Sequence, residues 1–233
     1  MSFNFLMQIE TASTEAVSPT GVKETSVWEI IDQSNAGIGW IINLLLLLMF
    51  AYVIFVFTER LLALRRASKE EANFLSKIKM YLIEGNIDAA KKLCSGSDSP
   101  SARMLEKGID RLGKPIENIS LAIENTAKIE IMRLEQRVSF LATASGAGPM
   151  LGFLGTVVGM VIVFIDLQNV SSLDIQVIAP GIMTAMITTV EGLIVGIAAF
   201  MGYNFLTEKI NKIVYTMETT ALEFMDVLNE PGK

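Results

Sequence analysis

Residues 180–206 read PGIMTAMITTVEGLIVGIAAFMGYNFL, and in them only Glu191 is charged. About 20 residues rising 1.5 Å each carry a helix across the roughly 30 Å hydrocarbon layer of a bilayer, so this run is long enough to span. A carboxylate at membrane depth costs roughly 2.5–3.5 kcal/mol on insertion scales, and the uses that justify it are ion pathways and proton relays. The chain has no histidine. A carboxylate is therefore the side chain left to titrate reversibly near neutral pH in that setting.

Two further runs share this character. Residues 40–57 are apolar apart from Asn43, and residues 140–165 carry no charge. Together the three explain why 51% of the 233 residues are hydrophobic. The runs are continuous and lack the alternation of barrel strands, so they predict helices. The fold class expected is an all-α membrane protein with three transmembrane helices, two of them extended as long rods into the cytoplasm. The opening MSFNFLMQIETAS has neither a basic stretch nor an apolar core sufficient for a cleavable signal. The first span is expected to serve as its own insertion signal.

Lysine and arginine placement sets the expected orientation. Of 19 basic residues, fifteen fall between Arg60 and Arg137, three follow the third span and Lys23 alone precedes the first. Positive charge stays on the cytoplasmic side. The segments expected are an external arm with an interfacial helix at 1–37, spans at 38–58, 140–167 and 180–206, a cytoplasmic helical region at 59–139, an external loop at 168–179 and a cytoplasmic tail at 207–233. Ser26 and Glu29 have capping-box spacing, and Trp28 and Trp40 suit the headgroup level.

Several chemistries are excluded. One cysteine, Cys94, and no histidine provide no zinc ligand set and no intrachain disulfide. A formal charge of −6 is not a nucleic-acid signature. No Walker A, nucleophile elbow or metal spacing is present, so neither an enzyme nor a cofactor is expected.

Between the first two spans the sequence predicts a helical continuation at 59–79, a turn at 84–88 capped by Asn86 or Asp88, and a short helix at 89–93. A helix at 101–112 closed by Gly113 follows. From Pro115 no helix breaker intervenes before the membrane, and Ile119, Ile123, Thr126, Ile129 or Met132, and Leu134 recur at helical spacing. One rod from about 116 to 167 is expected, and residues 207–228 should extend the third span likewise. Such rods need partners to bury their faces, so an oligomer is expected.

The second span, ATASGAGPMLGFLGTVVGM at 142–160, places Gly148, Gly152, Gly155 and Gly159 on one bare stripe. In lipid, small residues let backbones approach closely, so the stripe should be a packing face between subunits or with a partner. Thr156 flanks it, either as a polar wall group or bonded to its own backbone. Pro149 should kink the helix and free a carbonyl. The third span carries a second small stripe, Ala185, Gly192, Gly196 and Ala199. A different face holds Thr184, Thr188, Glu191 and Val195, with Thr189 nearly opposite Glu191. A polar face beside a packing face fits a helix lining a water-accessible path between subunits. The bland alternative keeps Glu191 protonated as interhelical glue, and Asn43 reads as a helix–helix hydrogen bond.

These residues resemble the proton-channel family of ExbB, TolQ and MotA. The match runs from Glu59-Arg60 through the Asp88-x-Ala90 helix to Tyr203-Asn204, and is most specific in PMLGFLGTVVG at 149–159 and APGI at 179–182. It covers roughly two thirds of the chain. Three spans with a mid-sized insert are similar to ExbB or TolQ, whereas flagellar MotA proteins have four spans. The resemblance implies a bacterial inner-membrane pentamer around a dimer of a single-span ExbD-like or TolR-like partner carrying an aspartate in the pore. It implies that proton flow drives rotation and delivers work to a TonB-like or TolA-like transducer. By motif position Thr156 and Thr189 match the two channel threonines. Many ExbB and TolQ sequences carry the third-span glutamate four residues beyond the Ala-Pro-Gly proline, where this chain has Thr184. Glu191 stands seven residues later on the same face. A MotA-like motility or gliding stator and a non-conducting scaffold are the rival readings.

Overall fold

The three apolar runs leave the backbone no water to bond with, so each closes its own hydrogen bonds as a helix. The computed structural model describes residues 39–68, 73–168 and 175–229, with the side chains of Gln176 and Val177 excepted. The expected external arm, its helix at 26–36 and Trp28 lie outside the described residues, as does half of the expected loop at 168–179, the other half being helical. Within the described residues every element is a helix: α1 (Gly39–Ala67), α2 (Phe74–Ile83), α3 (Ile87–Ser95), α4 (Pro100–Ile109), α5 (Ile116–Glu135), α6 (Val138–Gln168) and α7 (Ile175–Asn229). Three are long and apolar enough to cross a membrane: Trp40–Ala67, Val138–Gln168 and Ile178–Asn229.

The spine is α7. Its 55 residues run without interruption through Pro180, about 80 Å at 1.5 Å per residue. Its first half packs on α6 and α1. Its second half is gripped by α2, α4 and α5, where Phe224 and Met217 are buried with Ile78, Met104 and Leu105. At Gly108 a Cβ would lie 2.9 Å from Ile123 Cδ1 and 3.2 Å from Phe224 Cε1, so α4, α5 and α7 meet there without a spacer. Two side-chain caps start the short helices: Ala89 N donates to Asn86 Oδ1 at 3.1 Å, and Ala102 N donates to Ser99 Oγ at 3.1 Å.

The single rod expected from 116 to 167 is broken. Gln136 leaves the helical region and Arg137 takes a left-handed φ of 65° between α5 and α6. No glycine or proline marks the place. The break is held by contacts distant in sequence: Arg137 Nη1 to Glu59 Oε2 at 2.7 Å, and Arg60 Nη1 donating to the Arg133 carbonyl near the end of α5 at 3.3 Å. That second bond satisfies one of the carbonyls a helix leaves open at its C-terminus. The expected continuation of α1 to residue 79 also stops, at Ala67, and α2 restarts after Asn73 with φ 73°. On α5, Ile129 and Met132 face outward, whereas Glu130 occupies the inward turn expected of one of them.

Candidate functional site

The glycine stripe of α6 meets the small stripe of α7 inside one chain. Gly148 lies against Gly192 and Gly196, Gly152 against Thr188 and Gly192, Gly155 against Thr188, and Gly159 against Ala185 and Gly181, the antiparallel order of a hairpin. There is no room for a side chain along this line. A Cβ on Gly192 would sit 2.6 Å from the Gly148 carbonyl oxygen, one on Gly152 2.8 Å from that of Thr188, and one on Gly196 2.7 Å from the Pro149 ring. At Gly155 it would collide with the Thr188 side chain. The expectation that this stripe faces another subunit or a partner is therefore corrected. Two bare stripes on successive antiparallel spans are complementary to each other, and the close backbone approach is taken up internally. Pro149 does not end α6, and its ring fills the space that the missing Cβ of Gly196 leaves.

The threonines divide by face. Thr188, expected beside Glu191 on a polar face, is buried at 1% exposure within the α6–α7 contact. Its hydroxyl lies 2.8 Å from the Ala185 carbonyl and 3.5 Å from that of Gly152. Thr189 donates across to the Gly152 carbonyl at 3.2 Å, with the Ala185 carbonyl at 3.4 Å. Each hydroxyl has one proton, so the shorter contact of each pairs Thr188 with its own helix and Thr189 with α6. Thr184, half-buried, donates to the Pro180 carbonyl at 2.9 Å, and Thr156 to that of Phe153 at 2.6 Å. Both of these bonds stay within one helix.

Glu191 precedes Gly192, whose added Cβ would meet only backbone of α6, and is itself half-buried at the edge of the contact. Among the described residues it has no hydrogen-bond or ion-pair partner. Around the helix it stands about 160° from Thr189. One chain thus brings Thr188 and Thr189 to α6 and leaves Glu191 and Thr184 at the rim, where a group from outside the chain can reach them. Among the described residues no cluster of histidine, cysteine, aspartate and glutamate could hold a metal.

A charged cluster at the basic end of the spans was not foreseen. Glu130, buried at 3% exposure, takes Arg103 Nη2 and Arg133 Nη1, each at 2.7 Å, beside the Glu59–Arg137 pair. The available signal was the position of Glu130, four residues after Thr126 on the inward face of α5. Gly181, whose added Cβ would strike Val163, was also overlooked as part of the packing line.

Fold and site together define a multi-span helical membrane protein sealed by a glycine-lined hairpin. A model of the family described as "MotA/TolQ/ExbB proton channel family" matches residues 96–219, more than half of the chain. The chain belongs to that family. It is 39% identical over 100 residues to the Tol-Pal system protein TolQ of Haemophilus influenzae, a match spanning 43% of this chain and 44% of that protein. To the Tol-Pal system protein TolQ of Pseudomonas aeruginosa it is 29% identical over 228 residues, 91% of this chain and 96% of the other. The biopolymer transport protein ExbB of Salmonella typhimurium is 27% identical over 156 residues, 60% of this chain and 62% of that one.

Proposed function

We propose that this chain is the channel subunit of an inner-membrane, proton-driven motor, with Glu191 on the proton path. The observation that carries this reading is a lone, half-buried carboxylate in the middle of a span, at the rim of a contact that leaves it no partner within the described chain. A group so placed has a use only if a second component or water meets it. The motor would be a homopentamer around the dimer of a single-span ExbD-like or TolR-like protein, delivering work to a TonB-like or TolA-like transducer. The N-terminus would be periplasmic and the basic end cytoplasmic. Thr156 and Thr184 would line the path; Thr189, also matched to a channel threonine, bonds across to the Gly152 carbonyl, and Thr188 packs in the α6–α7 contact.

The process powered would be outer-membrane transport or envelope maintenance. The match to a Tol-Pal protein along nearly its whole length, against partial coverage of the ExbB protein, favours envelope maintenance. Depth provides the test. Residues 184 and 191 are separated by about 10.5 Å along the axis. A proton relay needs hydrogen-bond reach, directly or through one water. The double change Glu191→Thr with Thr184→Glu should assemble without coupling in cells. Wild-type coupling by that swap would remove the relay role from position 191.

A further inference from the structure

Where the apolar runs end at the basic end of the molecule, α1, the start of α4 and α7 enclose a cavity of ≈ 320 Å³. Its walls are of two kinds. Leu61, Leu64 and Phe205 are apolar, whereas Arg65, Lys209 and Lys212 bring three cations to one opening. Among the described residues no carboxylate lines it, and none of the three cations has an ion pair with a described residue. Lys209 lies 5.6 Å over the Phe205 ring, a contact that leaves its charge uncompensated. Ser68, Ser101 and Thr216 line the same space, the Thr216 hydroxyl donating to the Lys212 carbonyl at 3.1 Å, and Ser101 stands in the first turn of α4, whose positive end adds to the field.

Depth identifies the occupant. Lys209 lies three residues beyond Leu206 and Lys212 six, roughly 5 and 9 Å along α7 at 1.5 Å per residue. Their stems are long enough to return the charged ends to the headgroup level. Basic pockets between membrane helices at that level take anionic headgroups. We infer that this cavity is a binding site for the phosphate headgroup of an anionic phospholipid. The three cations and the two serines would hold the phosphate, and the apolar wall of α1 and α7 would receive the first part of the acyl chains. A lipid seated there would join the first span to the third at a level where, among the described residues lining the cavity, α4 is the only other helix.

The test uses the full chain extracted from its membrane, delipidated, and offered equal amounts of dioleoylphosphatidylglycerol and dioleoylphosphatidylcholine, with retained lipid read by native mass spectrometry. The wild type should retain the anionic lipid about tenfold over the zwitterionic one, and Lys212→Gln alone should lower that retention about fivefold. Combined Arg65→Gln, Lys209→Gln and Lys212→Gln should abolish the preference, whereas Arg66→Gln, whose side chain does not line the cavity, should leave it intact. Equal retention of both lipids by the wild type would overturn the inference without recourse to any variant. An undiminished preference in Lys212→Gln and the triple variant, or an equal loss in Arg66→Gln, would also overturn it. A third result against it is protection from thermal unfolding by inorganic phosphate as large as that by phosphatidylglycerol, which would assign the site to a free anion.

Discussion

The hairpin of α6 and α7 and the body formed by α2–α5 around the second half of α7 are built by opposite means. In the hairpin, backbones touch through Gly148, Gly152, Gly192 and Gly196, and no large side chain stands between them. In the body, Ile78, Met104, Leu105, Met217 and Phe224 fill the interior and Glu130 is clamped by two arginines. The difference follows from the solvent. Lipid tails are as apolar as leucine, so burial gains little in the membrane and close contact must come from small residues. In water, apolar burial drives association at about 25 cal/mol per Å², and large side chains supply the area.

The contrast can be broken first at its tightest backbone contact. Gly192→Val puts methyl groups where the Gly148 carbonyl already leaves 2.6 Å for a Cβ, and both neighbours are backbone that cannot step aside. The expected outcome exceeds the cost of about 1–3 kcal/mol usual for overpacking and appears as loss of the protein from the membrane fraction. Gly146→Val, on the same helix but with open space at its Cβ, should accumulate normally. Equal accumulation of both would mean that the stripes do not meet.

The body should respond to removal of volume instead. Leu105 is completely buried, so Leu105→Ala should cost about 2–5 kcal/mol, measured as a lowered midpoint of thermal unfolding in detergent. A loss below about 0.5 kcal/mol, the level of a surface substitution, would mean that this interior is not packed as described.

Much of this was legible in advance for a physical reason. A span and a bare stripe are periodic and local, and the sequence displays both. Gly148 to Gly159 could be placed on one face from spacing alone, but which surface covers that face depends on a second helix. From the sequence the stripe reads as a face for another subunit or a partner, whereas α7 of the same chain covers it. Thr188 was misplaced likewise, since a position on a helix wheel does not say how far the neighbouring helix wraps around it. The break at Arg137 was invisible because Glu59 and Arg60, which hold it, lie more than seventy residues earlier.

That break gives a smaller and sharper test. A left-handed residue other than glycine costs roughly 1–2 kcal/mol, and an exposed ion pair contributes about 0–1 kcal/mol. Arg137→Gly loses the pair with Glu59 but relieves the backbone, so its stability should stay within about 1 kcal/mol of the parent. Arg137→Ala loses the pair without that relief and should be the less stable of the two. The reverse order would show that residue 137 continues the helix. Smallest of all is Cys94, whose thiol is pushed up to about 12 by burial and by the nearby Glu106 carboxylate. At pH 8 it is a protonated thiol, and the thiolate is the reactive form. Maleimide should label it slowly in the native protein and quickly after denaturation. Rapid native labelling would place Cys94 outside the core.

The most direct test of the account is proton uptake by liposomes containing this chain with its co-purified single-span partner, followed by an internal pH dye after a potassium-diffusion potential is applied. Glu191→Gln preserves the shape and hydrogen-bonding capacity of the neutral acid while removing titration. With Glu191 on the path, the wild type acidifies the lumen and Glu191→Gln does not, at equal complex yield. Uptake by Glu191→Gln at the wild-type rate would contradict the account.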